Sequence, residues 1–329
     1  MPARHLVSPV VASLAALGRH ARWALPAGVF AGLVFPAAAA CLRPLLPLAV
    51  IGTLAVVLVR LDWRRFGKAL TRPMPVVALL AWQLLASPLL VWGLAQAIGL
   101  APELRVALLL QAAAPPIGST AVFALILGLD GALAVVGTVA TTLLLPLTAT
   151  PLVGWLLPEA GVRIDLLAFF GRVSLLVALP FAIAWLVRRL MGAARLARGD
   201  DVLGGLNVVM LVVFAIAVMD GVSARLLAEP RAILELLLMS VVVAVVLHAG
   251  GYLLLRRVGH DAAWTAALVS GNRNMGLMLV ITAGTAGELF ALYVGVAQIP
   301  MYFAPLLLTP LVRRGSRLRT DPPTQGCKP

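Results

Sequence analysis

Charged residues are scarce in this 329-residue chain: Asp, Glu, Lys and Arg together make up 12%, about half the share of an ordinary soluble domain. A soluble protein of this length is thereby excluded. Cysteine is scarcer still. Cys41 and Cys327 lie far apart, and neither has a partner at metal-ligand or redox-motif spacing, so no disulfide, zinc or thiol chemistry is expected. The four histidines and 13 acidic residues form no zinc-protease pattern, and no phosphate-binding glycine loop is present. Gly118-Ser119-Thr120 lacks the strand–turn–helix setting of a nucleophile elbow, and no histidine–carboxylate pair falls at its depth, so an intramembrane hydrolase finds no support. No catalytic residue, metal site or cofactor is expected.

Apolar residues are what the chain has in abundance, with 62% hydrophobic and a mean hydropathy of +1.03. They form continuous runs near 20 residues, each long enough to cross a hydrocarbon core of roughly 30 Å as a helix. The alternation of a membrane barrel is missing. Ten spans are expected, at about 23–42, 44–61, 73–97, 104–128, 131–157, 164–189, 201–222, 231–255, 262–287 and 289–312. The net charge of +13 lies almost wholly between these runs and at the ends. There it sets topology rather than meeting a polyanion, so the lipid bilayer is an expected partner and nucleic acid is not. With the amino terminus inside, 19 of the 26 Lys and Arg residues fall on the cytoplasmic side, six on the other, and Arg273 within a span. This bias predicts a multi-pass protein of the bacterial inner membrane with both termini cytoplasmic. Residues 1–22 are expected to remain as a basic arm, and residues 313–329, with a double proline, as a disordered basic tail. The sequence sets no oligomeric state.

The loop at 158–163 divides the spans into two sets of five, 23–157 and 164–312. An odd number per half inverts the second set relative to the first, the plan of many secondary transporters whose sites form at broken helices in matching positions. Both halves carry such a break in their fourth span. The first has Pro115-Pro116 followed by Gly118-Ser119-Thr120; the second has Ser270-Gly271-Asn272-Arg273-Asn274-Met275-Gly276. Consecutive prolines remove two amides and clash with the preceding turn. Backbone freed in this way is tolerated at membrane depth only where it is buried in protein or lines a wet cavity. An arginine at the centre of a span costs roughly 2.5–3.5 kcal/mol even on insertion scales, which helix packing alone gives no reason to carry. The two breaks therefore predict a translocation site.

The stretches GVFAGLVFPAAAACLRPLLPL, AAAPPIGSTAVFALILGLDGALAVVGTVATTLLLPLTATPLV and GNRNMGL together resemble the bile acid:sodium symporter family over nearly the whole chain. The resemblance implies an all-α fold of ten transmembrane helices in two inverted repeats. Spans 1, 2, 6 and 7 would form a panel and the others a core, with the fourth and ninth spans unwound and crossing beside the substrate and sodium sites. Carried over residue by residue, the family's sodium ligands match Gln83, Thr120 and Thr138, while Ala121, Ala134, Val269 and Arg273 stand at other ligand positions. The carboxylate is replaced by valine, and a cation stands where one ion would sit. Two unit charges about 4 Å apart repel by roughly 4 kcal/mol at an effective dielectric of 20, so sodium is the disfavoured coupling ion. Arg273 can replace the ion structurally, its five donors tying down freed carbonyls, or meet a substrate anion directly.

The expected function is secondary transport of an organic anion, bile-acid-like or a small carboxylate, by alternating access. Ser119, Thr120, Asn272, Arg273, Asn274 and Gln298 are the expected substrate-binding residues. Gln83, Thr120, Thr138 and Arg273 are the remnant of the ion site, and Pro115, Pro116, Gly118, Gly271 and Gly276 break the helices. Thr141, Thr142 and His248 are expected to bond carbonyls of their own helices, and Gly28 to Gly32 to let two helices approach closely. Two alternatives are carried: an arsenite-type efflux transporter of a related family, which would want a cysteine where Ala114 stands, and a transport-dead sensor on the same fold, which would want a soluble domain that no loop here accommodates.

Overall fold

The computed structural model describes residues 21–158, 165–282 and 285–320. Most of the expected amino-terminal arm, the loop at 159–164 and the last part of the tail, with Cys327, lie outside the described residues. Within them every regular element is a helix: α1 Ala21–Val34, α2 Pro36–Leu42, α3 Leu46–Arg60, α4 Trp63–Leu70, α5 Pro73–Ala97, α6 Pro102–Ala113, α7 Thr120–Ile126, α8 Gly131–Leu156, α9 Leu166–Met191, α10 Ala193–Arg198, α11 Asp200–Ala217, α12 Val222–Ala228, α13 Pro230–Leu255, α14 His260–Gly271, α15 Met275–Thr282 and α16 Gly287–Thr320.

Seven stretches among the described residues are continuous, long and apolar enough to cross a membrane: Pro36–Arg60, Pro73–Ala97, Gly131–Leu156, Leu166–Met191, Asp200–Ala228, Pro230–Leu255 and Gly287–Val312. The chain is a multi-pass membrane protein. The three other expected spans depart from single long helices. The fourth and ninth are broken, into α6 with α7 and α14 with α15. The first ends early, at Val34 rather than residue 42, because Pro36 opens α2 and holds Phe35 out of the helical region (φ −116°, ψ 73°), as a residue before proline is usually held. Arg43-Pro44, where the break was expected, forms one tight turn (Arg43–Leu45) inside the next span. At the other end α16 runs to Thr320, past the expected end at residue 312; no proline intervenes between Pro310 and Pro322.

Ion pairs fix which helix ends lie together. Arg43 meets Asp220 at 2.8 Å and Ser223 Oγ donates to Leu33 O at 2.6 Å, so α2, the start of α3 and the end of α11 share one end of the bundle. At the opposite end Arg60 grips Asp200 with two bonds of 2.7 and 2.8 Å. Arg188 Nη1 donates there to Val59 O and Leu61 O, satisfying carbonyls that the end of α3 leaves free. α9 is exposed along Leu167, Leu175, Leu186 and Leu190, a face that lipid covers.

Glycine sets the closest approaches. In α1, Gly28 sits against Ala215 and Gly32 against the Ile216 carbonyl, where an added Cβ would lie 2.7 Å from the oxygen; the small-residue pair lets α1 and α11 touch backbone to backbone. In α13, Gly250 receives the Trp82 indole, and Gly251 lies against the Ala266 carbonyl and Ser270 Oγ of α14. Gly251→Ala should therefore force α13 from α14 and cost about 1–3 kcal/mol, read as a lower unfolding midpoint in detergent. Gly93→Ala, with open space around the site, should leave the midpoint unchanged or raise it; equal midpoints for the two variants would refute the close approach.

Candidate functional site

The first break begins as its sequence dictates. Ala114 is extended (φ −62°, ψ 143°), Pro115 and Pro116 have no amide to give, and the helix restarts only at Thr120. The second begins where α14 ends at Gly271, with Asn272 at φ −91°, ψ 81°. Asn274 then caps α15, its Oδ1 accepting from Leu277 N at 3.1 Å. The two unwound stretches meet antiparallel, pairing Pro116 with Arg273. Ile117 N donates to Asn272 O at 2.9 Å, and Asn274 N donates to Pro115 O at 2.6 Å. Each break thus satisfies backbone groups that the other exposes, where an unpaired group costs several kcal/mol.

Arg273 closes the junction. It is 1% exposed, and three of its donors are placed. Nε donates to Ser270 O at 2.6 Å, Nη1 to Ala114 O at 2.9 Å and Nη2 to Ser87 Oγ at 2.8 Å. Ser270 lies in the last turn of α14 and Ala114 directly follows α6. The carboxyl end of a helix carries roughly half a negative charge, so two of them together match one guanidinium. Among the described residues every hydrogen-bond acceptor on Arg273 is neutral.

On the other side of the crossing is a cavity of about 40 Å³ lined by Ser119, Arg273, Asn274 and Gln298 together with Tyr302. Its opposite wall is apolar except for Thr53: Leu25 of α1, Ala49 and Val50 of α3, Leu211 and Phe214 of α11, with Thr53 Oγ1 buried and without a partner among the described residues. Gly118 lies against Val57 of α3 and Gly276 against the Phe214 ring, so the break glycines are also where this wall comes closest. The space holds roughly three waters and is far below the volume of an organic-ligand pocket. A larger cavity of about 350 Å³, between Arg72 and Asp130, contains none of the expected site residues.

Four of the six expected substrate residues therefore share one cavity. Thr120 and Asn272 are fully buried behind it, and Thr120 Oγ1, Asn272 Oδ1 and Gln298 Oε1 find no partner among the described residues. Of the expected ion-site residues, Gln83 Oε1 and Thr120 Oγ1 are buried and find no partner among the described residues. Thr138 Oγ1 donates to Ala134 O in its own helix at 2.9 Å, and Gln83 Nε2 reaches Ser270 Oγ at 3.4 Å. Val269 packs with Leu79, Leu133 and Ala134 in an apolar cluster and lies against Gly137. Thr141, Thr142 and His248 each bond carbonyls of their own helices.

Three residues of the site went unassigned in the sequence. Ser87 lies four residues after Gln83, one turn along α5, whose backbone widens to a π-turn over Trp82–Ala86. The cause is Pro88, which has no amide for the Leu84 carbonyl and crowds it. Ser270 accepts from Trp82 Nε1 at 3.0 Å. Tyr302 sits four residues after Gln298, a helical spacing that puts both on one face.

A family model described as the Sodium Bile acid symporter family matches residues 47–245, more than half of the chain. The matched stretch includes the first break and stops short of the second. No curated protein matches the chain.

Ser87→Ala removes the acceptor of a buried guanidinium N–H, which should cost about 1–3 kcal/mol and lower the unfolding midpoint. Ser87→Thr keeps a hydroxyl and should retain most of it. An alanine variant as stable as the wild type would show that Arg273 is not anchored there.

Proposed function

The chain belongs to the sodium bile acid symporter family, and from that premise we propose that it is a secondary transporter of organic anions that works by alternating access without sodium coupling. The observation that carries this is Arg273, whose guanidinium bonds the Ser270 and Ala114 carbonyls at a position where the family resemblance implies a sodium ligand. A side chain that supplies the cation makes an ion there redundant, and a second cation beside it would be repelled. The apolar packing of Val269 supports the same reading for the other ion, which needs a carboxylate at that position.

The cavity suggests the substrate class. One wall is apolar except for Thr53 and the other offers Ser119, Asn274, Gln298 and Tyr302 beside a cation, which suits an amphipathic or small monocarboxylate. At about 40 Å³ the site is too small for such an anion, so substrate binding requires the wall of α1, α3 and α11 to move against the broken helices. In this reading these helices belong to the panel, the crossing belongs to the core, and the two breaks are matching members of inverted five-span repeats. The Lys and Arg bias places both termini on the cytoplasmic side of the inner membrane.

Uptake of labelled pyruvate, pantoate and cholate into proteoliposomes preloaded with the same unlabelled anion should proceed equally with an inward sodium gradient and with choline in its place. Strong sodium stimulation would overturn the reading. Arg273→Gln should slow uptake at least about tenfold, a loss of about 1.4 kcal/mol; an unchanged rate would remove the guanidinium from the site.

A further inference from the structure

The resident cation has a consequence for what the empty carrier can do. We propose that this protein is an anion exchanger: it carries one organic monoanion in one direction for one in the other and does not return unloaded. The proposal rests on the transporter reading above and goes beyond it by assigning the driving force.

A carrier that couples an ion to a substrate must cross when empty and when fully loaded, and must not cross with the ion alone, or the gradient leaks. Arg273 is bonded to the chain and occupies the crossing at all times, with 1% of its surface exposed. The ion-free form of such a carrier does not exist. Every substrate-free molecule is in the cation-only state, the one forbidden to change sides.

The electrostatics act in the same direction. The guanidinium's acceptors are two carbonyls and a hydroxyl. Helix-end dipoles stabilise it locally but contribute no net charge. The substrate-free carrier therefore holds a buried positive charge that no carboxylate bonds among the described residues, and a bound monoanion offsets it. A unit charge pair about 6–8 Å apart is worth roughly thirty- to a hundredfold in equilibrium at an effective dielectric of 20.

Among the described residues the cavity offers no acid or base to carry a proton. The cavity lining contains no carboxylate and no imidazole. The nearby His248 has its ring covered by Gly271 and its Nδ1 2.7 Å from Ala244 O. Val269, Leu79 and Gly137 close the remaining ion position. A second anion on the far side is what remains to release the carrier. One anion in and one out moves no net charge, so the exchange is electroneutral.

The test uses the full-length protein in proteoliposomes loaded with labelled pyruvate, pantoate or cholate. Efflux into buffer containing the same unlabelled anion should be at least about tenfold faster than into anion-free buffer, within the factor above. A potassium diffusion potential should leave the exchange rate unchanged. In Arg273→Gln the two efflux rates should converge, while Arg273→Lys, which keeps the charge, should retain a difference. Equal efflux rates in the wild type, or exchange that follows the potential, would overturn the proposal while leaving anion transport standing. If no probe moves in either arrangement, the transporter reading itself fails and the exchange with it. The wild-type comparison decides even where a variant does not fold.

Discussion

Breaking two helices at the middle of a bilayer frees carbonyls where no water can reach them, and in this protein one guanidinium takes up two. Ser270 O and Ala114 O belong to the carboxyl ends of α14 and α6, so Arg273 is placed where two negative helix ends converge. The usual objection to a buried arginine, its desolvation, is met by the same geometry: the charge lost from water is received by dipoles that would otherwise repel each other. The two-rung backbone bridge between 115–117 and 272–274 pairs four further groups: Ile117 N with Asn272 O, and Asn274 N with Pro115 O. Crossing, cavity and apolar wall all take their positions from this junction.

Polarity across the crossing is divided accordingly. Carboxyl ends meet on the side of α5, where Ser87 and the π-turn before Pro88 deliver the third acceptor. On the cavity side lie Ser119, Asn274 and Gln298, facing hydrophobic residues of three other helices. The polar half is stiffened by hydrogen bonds within and between the broken segments. Contact with the apolar half is made through side chains and glycines, which can slide without leaving a backbone group unpaired. A joint between a hydrogen-bonded body and an apolar wall is where relative motion is least costly.

Much of this was legible in the chain because helix breaks in a membrane are local chemical events. Two prolines in succession, and a glycine-flanked Asn-Arg-Asn, announce themselves in any apolar run, and the structure puts both breaks where the residues do. Arg273 was equally visible, since a charge at that depth needs an explanation. Its acceptors were not: Ser87 reads as one serine before a proline, and its role depends on α5 widening and on contact across nearly 200 positions. The first turn was misplaced for a related reason. Pro36 and Pro44 give similar signals, but Pro44 falls at the first positions of the turn Arg43–Leu45, where a missing amide is tolerated and the chain continues as helix. Thr138 was visible as a hydroxyl, but not that it would donate to Ala134 O within its own helix, a bond that leaves its oxygen lone pairs free.

The bridge also bears on how the protein is made. Ala114 and Arg273 are 159 positions apart, so the first interrupted segment leaves the ribosome long before the strand that completes it. Until residues 272–274 are inserted, Pro115 O, Ala114 O and the Ile117 amide must borrow water or translocon partners. Nascent chains stalled before that point would present an open seam to quality-control proteases, and chains released after it would not.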